Sequence, residues 1–172
     1  MTVTEPATML TDYALTLLCA FFAFSLHRRS EDRKLGLWLT AFSVTALAAL
    51  AGGTAHGFRV PLGENWSTVW TITVASIAVG SGLLIAAGIR SVLRPDATDQ
   101  TARREGILWL KRAIGVSLAG LTVLILKLSP HPHFNHNDLY HVIQMGGLYC
   151  LYRGALSLHG LSGSDRRRGT GS

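Results

Sequence analysis

Residues 28–56 read RRSEDRKLGLWLTAFSVTALAALAGGTAH, and this stretch decides the fold. Its first part, residues 28–34, is strongly charged, whereas residues 35–56 contain no Asp, Glu, Lys or Arg. A helix of about 20 apolar residues is long enough to cross about 30 Å of hydrocarbon. The stretch therefore predicts a transmembrane helix over residues 35–56 that begins at a basic membrane surface.

The rest of the chain contains further apolar runs of similar length, separated by polar segments. The predicted spans cover residues 9–26, 35–56, 67–89, 107–128 and 138–158. Of the 172 residues, 48% are hydrophobic and only 15% are charged, against about 25% charged in a typical soluble domain. The sequence predicts an all-α, polytopic transmembrane helix bundle of about five spans in the cell membrane. The bundle is a single domain over residues 1–160, followed by a basic disordered cytoplasmic tail over residues 161–172.

The Lys and Arg residues are divided very unevenly between the two ends of the predicted spans. One side, which includes the tail, holds 14 of them, and the other side holds 2. Because basic loops stay in the cytoplasm, the N-terminus is expected outside and the C-terminus inside. The net charge of +6 is therefore explained by membrane insertion and lipid headgroups. The expected partner is the lipid bilayer, and no nucleic-acid partner is expected.

A polar cluster lies at the predicted outer edge of the bundle. Its members are His131, His133, His136, Asp138 and His141, joined by His56 from the second span and Asp12 from the first. Ionisable groups beside a bilayer core are costly, and they usually serve a function. Asp138 and His141 are three positions apart, so they are neighbours on a helix surface. His56 lies on the small-residue face of its span, which is expected to turn toward the bundle interior.

One interpretation of this cluster is a metal centre. Zinc sites use three or four N, O or S ligands, and imidazole suits this metal. The candidate ligands are His56, His136 and His141. Asp138 or Asp12 would accept a proton or hold an imidazole in its ligating tautomer. A bound metal lowers the pKa of a water ligand, which then becomes a hydrolytic nucleophile.

A second interpretation is purely structural. Asn137 and Asp138 stand where the last helix is predicted to begin, and both residue types cap helix N-termini well. His141 would then hydrogen-bond Asp12 or a backbone carbonyl of another helix. The histidines that flank Pro132 would be solvated loop residues. On this interpretation the chain is a non-catalytic membrane protein, either a transporter subunit or a structural partner.

A third and weaker interpretation is a haem-binding electron carrier. His141 and His159 are 18 residues apart, so a helix would place them on one face at opposite membrane edges. Their partners would be His56 outside and His27 inside. His27 directly precedes the basic residues 28–29, however, which is typical of a solvated boundary.

Motifs of other enzyme classes are not expected from this sequence. No Ser-His-Asp array, phosphate-binding glycine loop, Cys-x-x-Cys or His-Glu-x-x-His motif is recognised. Gly52 and Gly53 lie within an apolar helix and therefore do not form a nucleotide loop. Cys19 and Cys150 both fall inside predicted spans, and two such residues make no disulfide framework.

The segment Asn137-Asp138-Leu139-Tyr140-His141 resembles the last-helix motif of the ceramidase-like membrane hydrolase superfamily. That group includes alkaline ceramidases and progestin/adipoQ-type receptors, and its members carry His-x-x-x-His there, together with an early-helix Ser-x-x-x-His. The resemblance makes His141 the second histidine of the pair and His56 the early-helix histidine. Asn137 and Gly52 stand at the positions of the first histidine and the serine. The resemblance implies a metal-dependent hydrolase of a lipid amide or ester, with its site near the outer membrane face.

Overall fold

The computed structural model describes residues 3–29, 35–131 and 134–161, and the regular elements within these ranges are helical. They are α1 (Pro6–Arg29), α2 (Gly36–Gly57), α3 (Arg59–Leu62), a 3-10 turn (Gly63–Asn65), α4 (Trp66–Leu93), α5 (Gln100–Ile125) and α6 (His136–Leu158). The predicted all-α class is confirmed. The predicted basic tail lies outside the described residues except for Leu161.

Four stretches of helix within the described ranges are long and apolar enough to cross a membrane. They are Pro6–Arg29, Gly36–Gly57, Arg59–Leu93 and Gln100–Ile125. These are the properties of a multi-pass helical membrane protein. α6 has 23 residues, which is sufficient length to span, but it is not among the four because its first turns are polar. The fifth span over residues 138–158 therefore stays a prediction.

Two helices begin earlier than the sequence predicts, and local chemistry explains each start. α1 begins at Pro6, since proline suits the first turn, where no N–H partner is needed. α5 begins at Gln100 because the Asp99 side chain accepts a hydrogen bond from Thr101 N at 2.9 Å. The basic residues 103–104, expected in a loop, consequently belong to a helix.

The long helices pack side by side in the order α4, α2, α1, α6 and α5. α2 lies between α4 and α1, α1 contacts α6, and α5 packs along α6. α4 also touches α6. Small residues permit the close approach of α5 and α6, since a Cβ added to Gly106 would lie 2.5 Å from Leu158 Cγ. Because α1 and α6 both begin at the same end of the bundle, their polar first turns come together.

An aromatic core fixes α1, α2 and α6 against one another. The Phe22 ring stacks on Tyr152 with 4.4 Å between centroids, and Phe42 meets Phe22 edge-on at 5.4 Å. The Tyr152 hydroxyl shares a hydrogen bond with the Ser25 hydroxyl at 2.7 Å. This core fixes the positions of α1, α2 and α6 relative to one another, and therefore the positions of the polar groups at both ends of the bundle.

Candidate functional site

The first turns of α1 and α6 bring together three of the residues that the sequence analysis selected. We call Asp12, Asp138 and His141 the acid–imidazole centre. Asp12 is 4% exposed and Asp138 is fully buried. His141 Nε2 lies 3.4 Å from Asp12 Oδ1, and the side chain of His141 is 13% exposed. The expectation that His141 pairs with Asp12 across helices is confirmed.

The second nitrogen of His141 is also engaged. His141 Nδ1 lies 3.1 Å from Thr11 Oγ1, whose hydroxyl donates to Thr8 O at 3.0 Å. A hydroxyl has one hydrogen, so Thr11 either donates to Thr8 O and accepts from Nδ1–H, or donates to Nδ1. In the first arrangement His141 Nε2 either faces a protonated Asp12 or is the N–H of an imidazolium that faces a carboxylate. In the second arrangement Nε2–H faces the Asp12 carboxylate. Each of these arrangements would place one proton between Asp12 and His141.

Asp138 takes part in a capping box at the start of α6. Asn135 is the N-cap, and its side chain accepts a hydrogen bond from Asn137 N at 2.7 Å, while Asp138 Oδ2 accepts one from Asn135 N at 2.7 Å. Asp138 Oδ1 is buried and has no hydrogen-bond partner among the residues that the structure describes. Asp138 therefore has a structural role through one oxygen only. Its predicted position as the cap itself was wrong by three residues.

α2 closes the centre from a third side. A Cβ added to Gly52 would lie 3.2 Å from Asp12 Oδ2 and 3.4 Å from Thr73 Cγ2 of α4. The absence of a side chain at Gly52 thus leaves room for the Asp12 carboxylate. An aspartate side chain from another helix thus occupies the space beside Gly52.

His56 lies near the centre but has a partner of its own. His56 Nδ1 is 3.0 Å from Glu5 Oε2, and its ring meets Trp70 edge-on at 5.7 Å. His56 is close enough to His141 for the charges of the two imidazole rings to interact. The sequence analysis missed Glu5. The sequence does contain a signal for this contact, because Glu5 directly precedes Pro6 and lies at the same membrane edge as His56.

His136, another histidine of the predicted cluster, is not brought into the centre. His136 is the first residue of α6 and is five positions from His141, so the two side chains leave the helix in different directions. His131 pairs through its backbone with Phe134. His133 lies outside the described residues.

The arrangement does not fit a metal centre as it stands. Over the described ranges, no group of three or more His, Cys, Asp or Glu side chains is placed to hold a metal ion. Both ring nitrogens of His141 have partners, and one nitrogen of His56 is bound to Glu5. Zinc ligation by His56, His136 and His141 therefore stays a prediction from the sequence.

An apolar groove opens beside the centre, between α4 and α5 with α6 as its floor. It has a volume of about 720 Å³. Residues along it include Ile85, Ile89, Ile114, Leu118, Tyr140 and Gln144. Tyr140 directly precedes His141, so one end of the groove reaches the first turns of α6. A groove of this character suits an acyl chain, whose CH₂ groups gain from contact with apolar side chains.

The opposite end of the bundle holds a second polar network, which we call the Ser91 triad: Ser91, His159 and Asp96. Ser91 Oγ lies 3.1 Å from His159 Nε2, and His159 Nδ1 lies 2.5 Å from Asp96 Oδ2. The expectation that no Ser-His-Asp array exists was wrong. His159 is 63 positions from Asp96 and 68 positions from Ser91. No local sequence motif could therefore reveal the triad.

A small cavity of about 130 Å³ adjoins the Ser91 triad. Its lining residues are Leu37, Trp38, Ala87, Arg90, Ser91, Arg94, Asp96 and His159. All three members of the triad therefore face one cavity, together with two arginines. Both nitrogens of the His159 ring and Nδ1 of His141 are hydrogen-bonded, and haem ligation by these residues stays a prediction from the sequence.

Comparison with known proteins places the chain in a family. A family of unknown function (DUF6962) matches residues 7–102 and 98–159. No curated protein and no solved structure matches the chain. The family match covers every long helix and both polar networks, and the chain therefore belongs to the DUF6962 family.

Proposed function

We propose that the chain is a five-span protein of the cell membrane, with its N-terminus outside, and that the acid–imidazole centre hydrolyses an amide or ester bond of a membrane lipid. In this orientation the centre lies at the outer face. The proposal rests on one observation above all, which is the burial of Asp12, Asp138 and His141 together at the end of a membrane bundle.

The cost of this arrangement supports a chemical role. Burial of an ionised group costs several kcal/mol unless it is well paired, and a buried acceptor without a partner costs about 1–3 kcal/mol. Asp138 Oδ1 is such an acceptor within the described residues. An N–H or O–H of a substrate, or a water molecule, would satisfy this oxygen.

The chemistry would follow from one proton shared between Asp12 and His141. With that proton on His141, the Asp12 carboxylate would take a proton from an attacking water as the water oxygen bonds to the carbonyl carbon. It would return that proton to the amine or alcohol that leaves. Acid–base transfer of this kind contributes about 10²–10⁴-fold to a rate. Asp138 Oδ1 would orient the water or the substrate N–H by accepting a hydrogen bond.

The groove supports a lipid as the substrate class. Its volume of about 720 Å³ lies within the range of about 300–1,000 Å³ that is usual for ligand sites. Tyr140 and Gln144 bring polar groups to an otherwise apolar channel near His141. The resemblance to the ceramidase-like superfamily points to the same substrate class. Among the described residues, the zinc that this resemblance implies finds no fitting ligand set.

A non-catalytic role is the second candidate, and one observation favours it. Both nitrogens of His141 and one oxygen of Asp138 already have partners within the protein. The His141 contacts with Thr11 and Asp12 fasten α1 to α6 without any substrate. On this alternative the chain is a structural partner or a transporter subunit.

The two candidates are separated by measuring lipid hydrolysis and stability in the same variants. The wild type, His141→Asn and the matched control His27→Asn would be reconstituted in lipid nanodiscs with N-acyl amide and ester lipids. We expect fatty-acid release by the wild type and the control, and at least a hundredfold loss in His141→Asn. No release by any protein, with a lowered unfolding temperature for His141→Asn alone, would establish the structural role.

A further inference from the structure

We propose that Ser91 is an activated nucleophile in a second site, at the opposite end of the bundle from the acid–imidazole centre, and that this site cleaves esters that carry an anionic group. His159 is its general base, and Asp96 holds the His159 ring in position. This inference is independent of the function proposed for the acid–imidazole centre.

The polar contacts have the order that serine activation requires. Ser91 Oγ is 3.1 Å from His159 Nε2, and Asp96 Oδ2 is bound to Nδ1 on the other side of the same ring. A carboxylate at Nδ1 keeps the hydrogen on that nitrogen, so Nε2 is free to accept the hydroxyl hydrogen of Ser91. The Ser91–His159 and His159–Asp96 contacts are both hydrogen bonds.

Two further contacts of Ser91 are compatible with this role. The hydroxyl lies 2.8 Å from Ala87 O, one helical turn earlier, so its single hydrogen can point either there or to His159. Trp38 Nε1 donates to Ser91 Oγ at 2.9 Å. A donor aimed at this oxygen stabilises the negative charge that develops on it when the hydrogen leaves.

The surrounding backbone holds the three residues in register. Ser91 lies in the last turns of α4, Asp96 follows in the connection to α5, and His159 ends α6. Ala97 N donates to Leu158 O at 3.0 Å, which ties the connection to the end of α6 beside the triad. Leu158 and Ser91 are almost fully buried. A site built on such fixed elements keeps its geometry when a substrate binds.

The charges around the cavity indicate the substrate class. Arg90 and Arg94 line the same cavity as Ser91. Neither guanidinium forms an ion pair with a carboxylate in the part of the chain that the structure describes. Guanidinium groups bind phosphate and carboxylate through paired N–H donors. With a volume of about 130 Å³, the cavity admits the reacting acyl group and its anionic neighbour, while the rest of the substrate stays outside.

The reaction balances with water as the second reactant. Ser91 Oγ bonds to the ester carbonyl carbon as its hydrogen passes to His159 Nε2. The carbon–oxygen bond to the alcohol then breaks, and the alcohol takes that hydrogen. Water attacks the acyl-serine, gives a hydrogen to His159, and releases the carboxylic acid while the hydrogen returns to Ser91 Oγ.

A fluorophosphonate reagent tests the proposal without knowledge of the natural substrate. Ser91 Oγ would displace fluoride from phosphorus and form a stable adduct that intact-mass and peptide spectrometry locate. The full chain in nanodiscs is expected to be labelled once, at Ser91. Ser91→Ala should abolish the label, and Asp96→Asn should slow labelling at least tenfold. Asp96 is partly exposed, so its variant is expected to fold.

Two controls make the result decisive. Ser157→Ala changes a buried serine whose hydroxyl has no hydrogen-bond partner in the described residues, and it should leave the labelling rate unchanged. His27→Asn should also label at the wild-type rate, because the His27 side chain is exposed near the end of α1 and belongs to neither polar network. Folded wild-type protein that carries no adduct at Ser91, or an equal labelling rate for Asp96→Asn, would overturn the proposal.

Discussion

At the scale of single residues, Asp138 has two carboxylate oxygens with different surroundings. Oδ2 completes the capping box of α6 through Asn135 N, whereas Oδ1 has no partner within the described residues. The sequence identified Asp138 and His141 correctly as close neighbours, because helical spacing alone places them together. It could not identify Asn135 as the cap, since Asn135, Asn137 and Asp138 are all residue types that cap helix N-termini well.

Substitutions of Asp138 separate the roles of its two oxygens. Asp138→Ala removes the acceptor for Asn135 N and is expected to lower the free energy of unfolding by about 1–3 kcal/mol. Asp138→Asn keeps one oxygen for this bond, so its loss should be less than half as large. Thermal unfolding in detergent measures both. Equal losses in the two variants would show that the capping bond is not what Asp138 contributes to stability.

The Ser91 triad shows which residues a sequence cannot reveal. Ser91 and Asp96 are close in sequence, whereas His159 comes from a distant part of the chain. A local motif carries information only over a few positions, whereas this contact depends on how α4 and α6 pack. Asp12 was found more easily, because an acidic residue within an apolar run is itself unusual.

At the scale of helices, the small residues of α2 were the part of the sequence pattern that best predicted how the helices pack. The predicted close-packed face is confirmed, since Gly52 and Gly53 lie directly against Asp12 and Tyr13. Helix ends were predicted less well. The early start of α5 depends on the single cap at Asp99, and the charges that follow it resemble a loop.

The packing of α5 on α6 can be tested with two glycines of one helix. Gly106→Ala would place a Cβ 2.5 Å from Leu158 Cγ and 3.1 Å from Leu158 N. The neighbouring backbone cannot yield easily, so we expect a loss of about 1–3 kcal/mol in the free energy of unfolding.

The control is Gly115→Ala, where an added Cβ would meet nothing within 4 Å. Alanine favours the helix over glycine by up to about 1 kcal/mol, so this variant should be at least as stable as the wild type. Denaturation in the same detergent compares the two. If Gly106→Ala matched Gly115→Ala in stability, α5 would not pack on α6 as described.

At the scale of the whole molecule, the sequence predicted a helical membrane bundle from composition and run length, and the four spans long and apolar enough to cross a membrane agree with it. The order of helices around the bundle could not be predicted, because it depends on contacts between distant segments. The contact between α1 and α6 is what brings Asp12 and His141 together.

The proposed orientation makes a direct prediction for cysteine labelling. Glu64 and Thr98 are exposed residues at opposite ends of the bundle. Glu64→Cys should react with an impermeant maleimide on intact cells, and Thr98→Cys should react only after lysis. The native Cys19 and Cys150 are buried and provide a low background. The reverse pattern would place the N-terminus in the cytoplasm.

The central claim is that Asp12 and His141 act together as one chemical unit, and the most direct measurement is a double-mutant cycle on lipid hydrolysis. Asp12→Asn, His141→Asn and the double variant would be compared with the wild type in nanodiscs, each at equal folded fraction. We predict that each single variant loses at least a hundredfold in rate and that the double variant loses no more, since removal of either partner disables the pair. Losses that multiply in the double variant, or single variants that keep the wild-type rate, would contradict the account.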